Sequence, residues 1–241
     1  MKTIYHKPVT ELLRDFVKES GIKKGETIQR KAIVDWFQKH YPKVKKLTVQ
    51  AHITRFTTNA PSRVHYNPSA PADDVFYQDP NGQLRLYQQG VDPLPISELT
   101  GEQMGDERQD EGEEFAYEKD LRNYLSTNLE RIEPGLELYE EEGITGLEYN
   151  AGGRFIDILA LDKKGNFVVI ELKVSKGYDR VVGQMLRYIG WVKENLADAG
   201  QDVRGVIVAR EISSDLKIAC SQVNHIDMYE YAMSVSVKKI S

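Results

Sequence analysis

Two short apolar runs in the second half of the chain are interrupted by charge, and no other feature constrains the fold as much. Asp157 breaks the run FIDILAL, while Glu171 and Lys173 break the run FVVIELKV. Both runs have strand length and apolar content, and a Lys164-Gly165-Asn166 turn separates them. They are predicted to be neighbouring strands of a buried sheet. Side chains alternate along a strand, so Glu171 and Lys173 share one face and Leu172 takes the other. Ionised groups in such a sheet are costly unless they are paired or bound to metal. For an isolated Glu-x-Lys, an ion pair is explanation enough. With Asp157 fourteen positions before Glu171, on a strand joined by a tight turn, a divalent-cation site explains the residue types better. Two carboxylates suit Mg2+ or Mn2+, which keep several waters and bind phosphate oxygens. A lysine two residues from a ligand can hold an attacking water or stabilise charge on a phosphate in flight.

The elements around this pair follow from periodicity. Upstream, YEKDLRNYLSTNLERI reads as an amphipathic helix with Leu121, Tyr124, Leu125 and Leu129 on one side, followed by a strand-like LELYEEE. Downstream, a long helix is predicted over about 178–196, a strand at VRGVIVAR, a short helix over about 214–223 and a last strand near 228–237. The order gives a mixed sheet flanked by helices. On the long helix, Gln184 and Tyr188 are i and i+4 and project from one face, beside apolar Val182, Met185, Leu186 and Ile189. Such a glutamine can orient a water or a phosphate. An amphipathic helix with incidental polar residues has the same pattern.

The stretch GRFIDILALDKKGNFVVIELKVSKGYDRVVGQMLRYIGWV resembles the PD-(D/E)XK nuclease core, and in particular the C-terminal domain of NucS-type endonucleases. The resemblance starts near Glu118 and covers roughly half the chain. It implies that Asp157 and Glu171 are metal ligands, that Lys173 is the catalytic lysine, and that Glu118 is the acid the family places beside the metal. Gln184 and Tyr188 match the family's glutamine and tyrosine. Such nucleases generally leave 5′-phosphate and 3′-hydroxyl ends. NucS-type enzymes carry an all-β N-terminal domain, so mismatch or branched-DNA preference is not carried over.

The N-terminal part has another pattern. Helices are predicted over 8–19, ending at Gly21, over 27–40 with Ile33, Val34, Trp36 and Phe37 inward, and from Thr48 as N-cap with Val49, Ile53 and Phe56 inward. Strands DVFYQD and QLRLYQ flank a Pro80-Asn81-Gly82 turn. Three helices closed by a hairpin predict a winged helix-turn-helix, and the segment resembles such domains fused to restriction-type nucleases. In that fold the third helix enters the major groove. Gln50, Thr54, Arg55 and Thr57 are then candidates for bases, and Lys45 and Lys46 for phosphates. Arg63 and His65 precede the wing, and Arg154 and Arg180 are further phosphate candidates. Winged helices also serve as protein-contact modules.

Charge distribution supports the division. Residues 1–90 hold 15 Lys and Arg against 8 Asp and Glu, whereas residues 91–116 hold one Arg against 9 acids. A basic part tethered through an acidic spacer suits a DNA-binding arm on an effector. The expected organisation is therefore α+β: a winged-helix DNA-binding domain over 1–90, an acidic linker over 91–114, and an α/β mixed-sheet, restriction-endonuclease-like domain over 115–241. The single cysteine, Cys220, leaves no internal disulfide or cysteine zinc cluster, and the five histidines show no shared ligand spacing. No apolar run approaches the ~18 residues of a membrane span, and MKTIYHKPVTELLRDF does not read as a signal peptide. A cytoplasmic, Mg2+- or Mn2+-dependent DNA endonuclease of restriction, defence or repair type is expected, acting on double-stranded DNA as a homodimer. The alternatives are an inactive DNA-binding regulator and a structure-specific repair or RNA-directed nuclease.

Overall fold

The computed structural model describes residues 3–96, 112–177 and 179–233. The chain is a mixed α+β protein that divides into two compact units. One comprises 1–109 with Glu140–Thr145, and the other 110–139 with 146–241. Among the described residues, no helix is long and apolar enough to cross a membrane.

The first unit runs α1 (Val9–Ser20), β1 (Thr27–Ile28), α2 (Arg30–His40), α3 (Lys46–Arg55), β2 (Phe76–Gln78) and β3 (Leu84–Leu86). The strands form an antiparallel sheet in the order β1-β3-β2. Leu12, Leu13 and Phe16 of α1, Ile33 and Phe37 of α2, and Val49 and Ile53 of α3 close on Phe76 and Leu84 in one core. Trp36, expected inward, is only half-buried and packs edge-on against Phe16. Gly21 ends α1 in the left-handed conformation, as expected. The Pro80-Asn81-Gly82 turn closes as predicted, with Asp79 Oδ1 accepting from the amides of Asn81 and Gln83.

Two boundaries differ from the sequence reading. Thr27 and Ile28 pair with Arg85 and Leu84 as a strand, and α2 starts only at Arg30. Thr48 is not an N-cap: Lys45 takes that position without a side-chain cap, and Thr48 is buried inside α3. Its hydroxyl is spent on Glu141.

That glutamate comes from a hairpin the sequence reading missed. LELYEEE was predicted as one strand, but it splits into β4 (Glu137–Leu138) and β5 (Glu140–Glu141). The chain then turns through Glu142 and Gly143 at positive φ into β6 (Ile144–Thr145). Buried Glu142 completes the first unit. Its carboxylate accepts from the amides of Ile4 and Val9, which caps α1, and its carbonyl accepts from His52 Nε2 at 3.1 Å. Burial, with Arg55 nearby, lowers the His52 pKa to about 4, so the ring is neutral.

The second unit contains α4 (Gly112–Ser126), β7 (Leu147–Asn150), β8 (Phe155–Leu161), β9 (Phe167–Gly177), α5 (Arg180–Asn195), β10 (Val203–Ile212), α6 (Ser214–Ser221) and β11 (Ile226–Glu230). Its sheet has the order β11-β10-β9-β8-β4, with β7 also pairing β8. β9, β10 and β11 are mutually parallel, whereas β8 is antiparallel to β9, β4 and β7. Leu121 and Leu125 of α4 pack on Ile158, Val168, Ile170 and Val206. Tyr124, expected with them, is 49% exposed, with the Arg131 guanidinium 5.7 Å from its ring centre. The last strand starts two residues earlier than expected, and residues 234–237 of the expected span lie outside the described residues.

Close packing of the sheet yields a test. Gly146 is buried: its amide donates to Tyr139 O and its carbonyl accepts from the Leu159 amide, both at 2.7 Å. A Cβ there would lie 2.0 Å from Leu159 O. Backbone cannot yield as a side chain does, so G146A is expected to cost about 3 kcal/mol and lower the melting temperature by roughly ten degrees. Thermal unfolding of wild type and variant checks this, and an unchanged midpoint would contradict the packing described.

Candidate active site

The site begins where two strands part. The β8–β9 ladder ends at Ile158 opposite Ile170, while β9 stays paired with β10 through Glu171, Leu172 and Lys173. One residue beyond the ladder's end, Asp157 replaces a strand acceptor with its own side chain, and its Oδ2 accepts from the Leu172 amide at 2.8 Å. The fork therefore puts Asp157 beside Glu171 and Lys173. Leu172, on the opposite face of β9, is fully buried in the core.

Glu171 is 2% exposed. Its Oε1 accepts from Lys173 Nζ at 2.8 Å and from Gln184 Nε2 at 2.7 Å. Its Oε2 is buried with no hydrogen-bond partner among the described residues. Gln184 also reaches the Tyr188 hydroxyl at 3.4 Å, and that hydroxyl donates to Phe155 O at 2.7 Å. The i, i+4 pair on α5 thus lies beside Glu171, with Tyr188 anchoring the helix to the strand of Asp157.

Burial dominates the electrostatics of the two acids. Burial, then the Asp157 carboxylate, pushes the Glu171 pKa up to about 8, against the opposing pull of Lys173. Burial also raises Asp157. Burial alone would lower Lys173, but Glu171, Asp157 and then Glu118 outweigh it and hold the amine above its ordinary range. Glu118, half-buried on α4, thus belongs to the same electrostatic cluster.

Two members were not foreseen. Arg122 on α4 is buried, with Nη2 2.7 Å from Glu148 Oε1 and Nη1 3.7 Å from Asp157 Oδ1. The signal was present, since Arg122 stands four residues after Glu118 and next to the inward-facing Leu121. Glu148, on β7 at φ 47°, carried no comparable mark.

Placement of the nucleic-acid candidates varies. Lys46 and Gln50 are exposed on α3, and Lys45 is half-buried at its start. Thr54 is half-buried and accepts from Arg30 Nη1 at 3.1 Å. Arg55 is bound through Nε to Asp73 at 2.8 Å. Thr57 and Arg63 do not face outward. Thr57 is buried with its hydroxyl on Ile53 O, and Arg63 is 1% exposed, donating to Arg55 O and paired with Asp74. His65 is half-buried, while Arg154, before β8, and Arg180, opening α5, are exposed.

A divalent cation fits this donor set. Glu171 Oε2 has a lone pair unused in the interior, and burial, then the neighbouring Asp157 carboxylate, makes Glu171 favour a proton at neutral pH. No three of the described His, Cys, Asp and Glu side chains are gathered closely enough to cage an ion by themselves. Two carboxylates suffice for Mg2+, which keeps several waters.

Comparison with known proteins divides the chain at the same place. Residues 117–230 match the family described as endonuclease NucS C-terminal domain, and residues 8–86 match a domain of unknown function, DUF7669. Endonuclease NucS of Sulfolobus acidocaldarius is 34% identical over 41% of this chain and 35% of its own length. Endonuclease NucS of Pyrococcus abyssi is 33% identical over 42% of this chain and 36% of its own. A crystal structure of a repair endonuclease from Pyrococcus abyssi aligns with a TM-score of 0.40 at 28% identity, covering 47% of this chain and 46% of the other. The chain spans little more than a third of the length of the curated relatives it matches, and its C-terminal half is similar to their nuclease domain.

Proposed function

We propose that this chain is a Mg2+- or Mn2+-dependent DNA endonuclease that hydrolyses phosphodiester bonds, with an N-terminal winged helix reading duplex DNA. The observation that carries the hydrolytic reading is Glu171, a buried carboxylate with one oxygen bound by Lys173 and Gln184 and the other unpartnered, next to Asp157. Asp157 and Glu171 would hold the cation, with Glu118 adding negative charge. Bound there, Mg2+ or Mn2+ supplies a Lewis acid that offsets negative charge gathering on the scissile phosphate. Lys173 remains protonated at neutral pH, so it acts as a donor that orients water or stabilises charge and not as a base. Gln184 fixes the Glu171 carboxylate, and Tyr188 fixes Gln184.

For the N-terminal unit, the order α1-β1-α2-α3-β2-β3 with β1 on β3 supports the winged-helix reading. Lys46 and Gln50, with Lys45 and Thr54 at the margins, are the contacts on α3; Arg154 and Arg180 are phosphate contacts for the second unit. The acidic linker expected over 91–114 lies mostly outside the described residues, and 112–114 belong to α4. Cutting both strands of a duplex takes two active centres, which favours a homodimer. A restriction-like role fits a duplex reader joined to this core, and similarity to NucS endonucleases over the shared half favours a structure-specific repair role. Choice of DNA substrate separates the two.

Plasmid, single-stranded, mismatched and branched DNA incubated with Mg2+, Mn2+ or EDTA test the hydrolysis. Cleavage is expected only with metal, and D157A and K173A are each expected to reduce it by about a hundredfold or more while remaining folded. Binding without cleavage under all conditions would identify a regulator instead.

Protons compete with the cation for Glu171. Mn2+ affinity is expected to rise between pH 6 and 8, by at most about tenfold per unit, and then to level off, with one arm of titration calorimetry per pH and E171Q flat across the range. Without metal the sign for stability is opposite. Between the unperturbed value of 4.5 and about 8, the folded state keeps a proton that the unfolded chain has released, so stability falls as pH rises. Affinity independent of pH would refute the assignment of Glu171.

For the reader unit, K46A is expected to weaken duplex binding about equally for all sequences and to reduce the salt slope by about one. Anisotropy titrations over a salt series read both quantities, and an unchanged slope would remove Lys46 from the contact surface.

A further inference from the structure

Arg122 is a buried charge for which the hydrolytic reading has no role. β7 and β8 pair through Leu147–Ile158 and Tyr149–Ile156, which sets Glu148 directly across from Asp157. Like charges facing each other across strands repel, and here the site is already crowded with carboxylates. Arg122 reaches in from α4, with its side chain 6% exposed and its two terminal nitrogens 2.7 Å from Glu148 Oε1 and 3.7 Å from Asp157 Oδ1. Its Nε is buried with no hydrogen-bond partner among the described residues, where these two acids are the guanidinium's ion-pair partners. Enzymes that hydrolyse phosphodiesters with two ions place them about 3.5–4 Å apart, shared between carboxylates. A guanidinium cannot lose its proton in a protein.

We propose that Arg122 is a built-in cation that stands in for a second metal ion between Asp157 and Glu148, and so limits the site to one exchangeable divalent ion. The inference rests on the reading of Asp157 and Glu171 as cation ligands. Arg122 is a positioning residue in this account. With the Leu172 amide on Oδ2 and Arg122 near Oδ1, Asp157 is held from both sides before any ion arrives. The charge it supplies is permanent and indifferent to chelators. Removing it leaves two facing acids with a vacant positive position, which a second ion can enter. A purely structural ion pair would lose stability on the same change and gain no ion.

The number of Mn2+ ions bound by the full chain, counted by electron paramagnetic resonance of free Mn2+ and by titration calorimetry, tests this without reference to activity. Wild type is expected to bind one ion, and R122M two. The second ion should disappear in the R122M/E148Q double variant, and R122K, which keeps the charge, should bind one. Two ions on wild type or on R122K overturn the proposal, as does a folded R122M that binds one. Circular dichroism establishes the fold of each variant. If R122M does not fold, R122M/E148Q, which removes the opposed charges together, and R122K still decide by their counts. Wild type binding no Mn2+ is a different failure, since it removes the cation reading of Asp157 and Glu171 itself.

Discussion

The second unit depends on one local event: β9 remains paired with β10 while the ladder to β8 stops at Ile158 and Ile170. A continuous ladder would leave Asp157 as one more side chain on a sheet face. The early stop frees the Leu172 amide, and the Asp157 carboxylate takes it. That exchange fixes the acid against β9 at the level of Glu171 and Lys173. Apolar neighbours then remove water from the pair, and Glu171 retains a proton to about pH 8 because its ionised form is poorly solvated and poorly matched by charge. Keeping such a group in the interior costs stability, and no packing role accounts for it. A ligand role does.

The first unit imposes a different limit. One side of α3 faces the core through Val49 and Ile53, and a second flank, Thr48 and His52, is covered by the hairpin that carries Glu141 and Glu142. Arg55 is tied to Asp73 and Arg63 lies inside. What remains exposed on α3 is a narrow strip with Lys46 and Gln50. A helix with one amide and one or two lysines available can read few base pairs directly. Under the proposed function, selectivity then has to draw on DNA shape or on the chemistry of the cleavage site.

How much of this was legible in sequence depended on whether a pattern was local. Asp157, Glu171, Lys173, Gln184 and Tyr188 were found because alternation along strands and i, i+4 spacing on a helix are local rules, and the structure brings all five together. The boundaries of α1, α5 and the β2–β3 hairpin were close for the same reason. The β5–β6 hairpin escaped because a run of three glutamates carries no periodicity, and Glu142 is buried by partners more than a hundred residues away. Tyr124 was misplaced because aromatic content reads as core, although a ring at the helix edge can lie in solvent under an arginine. Arg63 was misplaced for the converse reason. Basic residues before a wing suggest DNA, and only the fold reveals that Asp74 and the Arg55 carbonyl draw this one inward.

Charge balance also orders the events that the proposed reaction requires. Asp157 and Glu171 lie beside Lys173, Glu118 adds to their negative field, and Arg122 is shared between Asp157 and Glu148. A phosphodiester brings a further negative charge and cannot approach these acids at neutral pH unless positive charge comes first or with it. The proton that Glu171 keeps to about pH 8 relieves part of the repulsion but occupies the carboxylate, so it does not substitute for a cation. The amine of Lys173 cannot substitute either, because it is already committed to Glu171 Oε1. Under the proposed function, Asp157 and Glu171 would hold a cation that offsets this repulsion before or as substrate arrives, which would tie the cost of burying them to the chemistry they support.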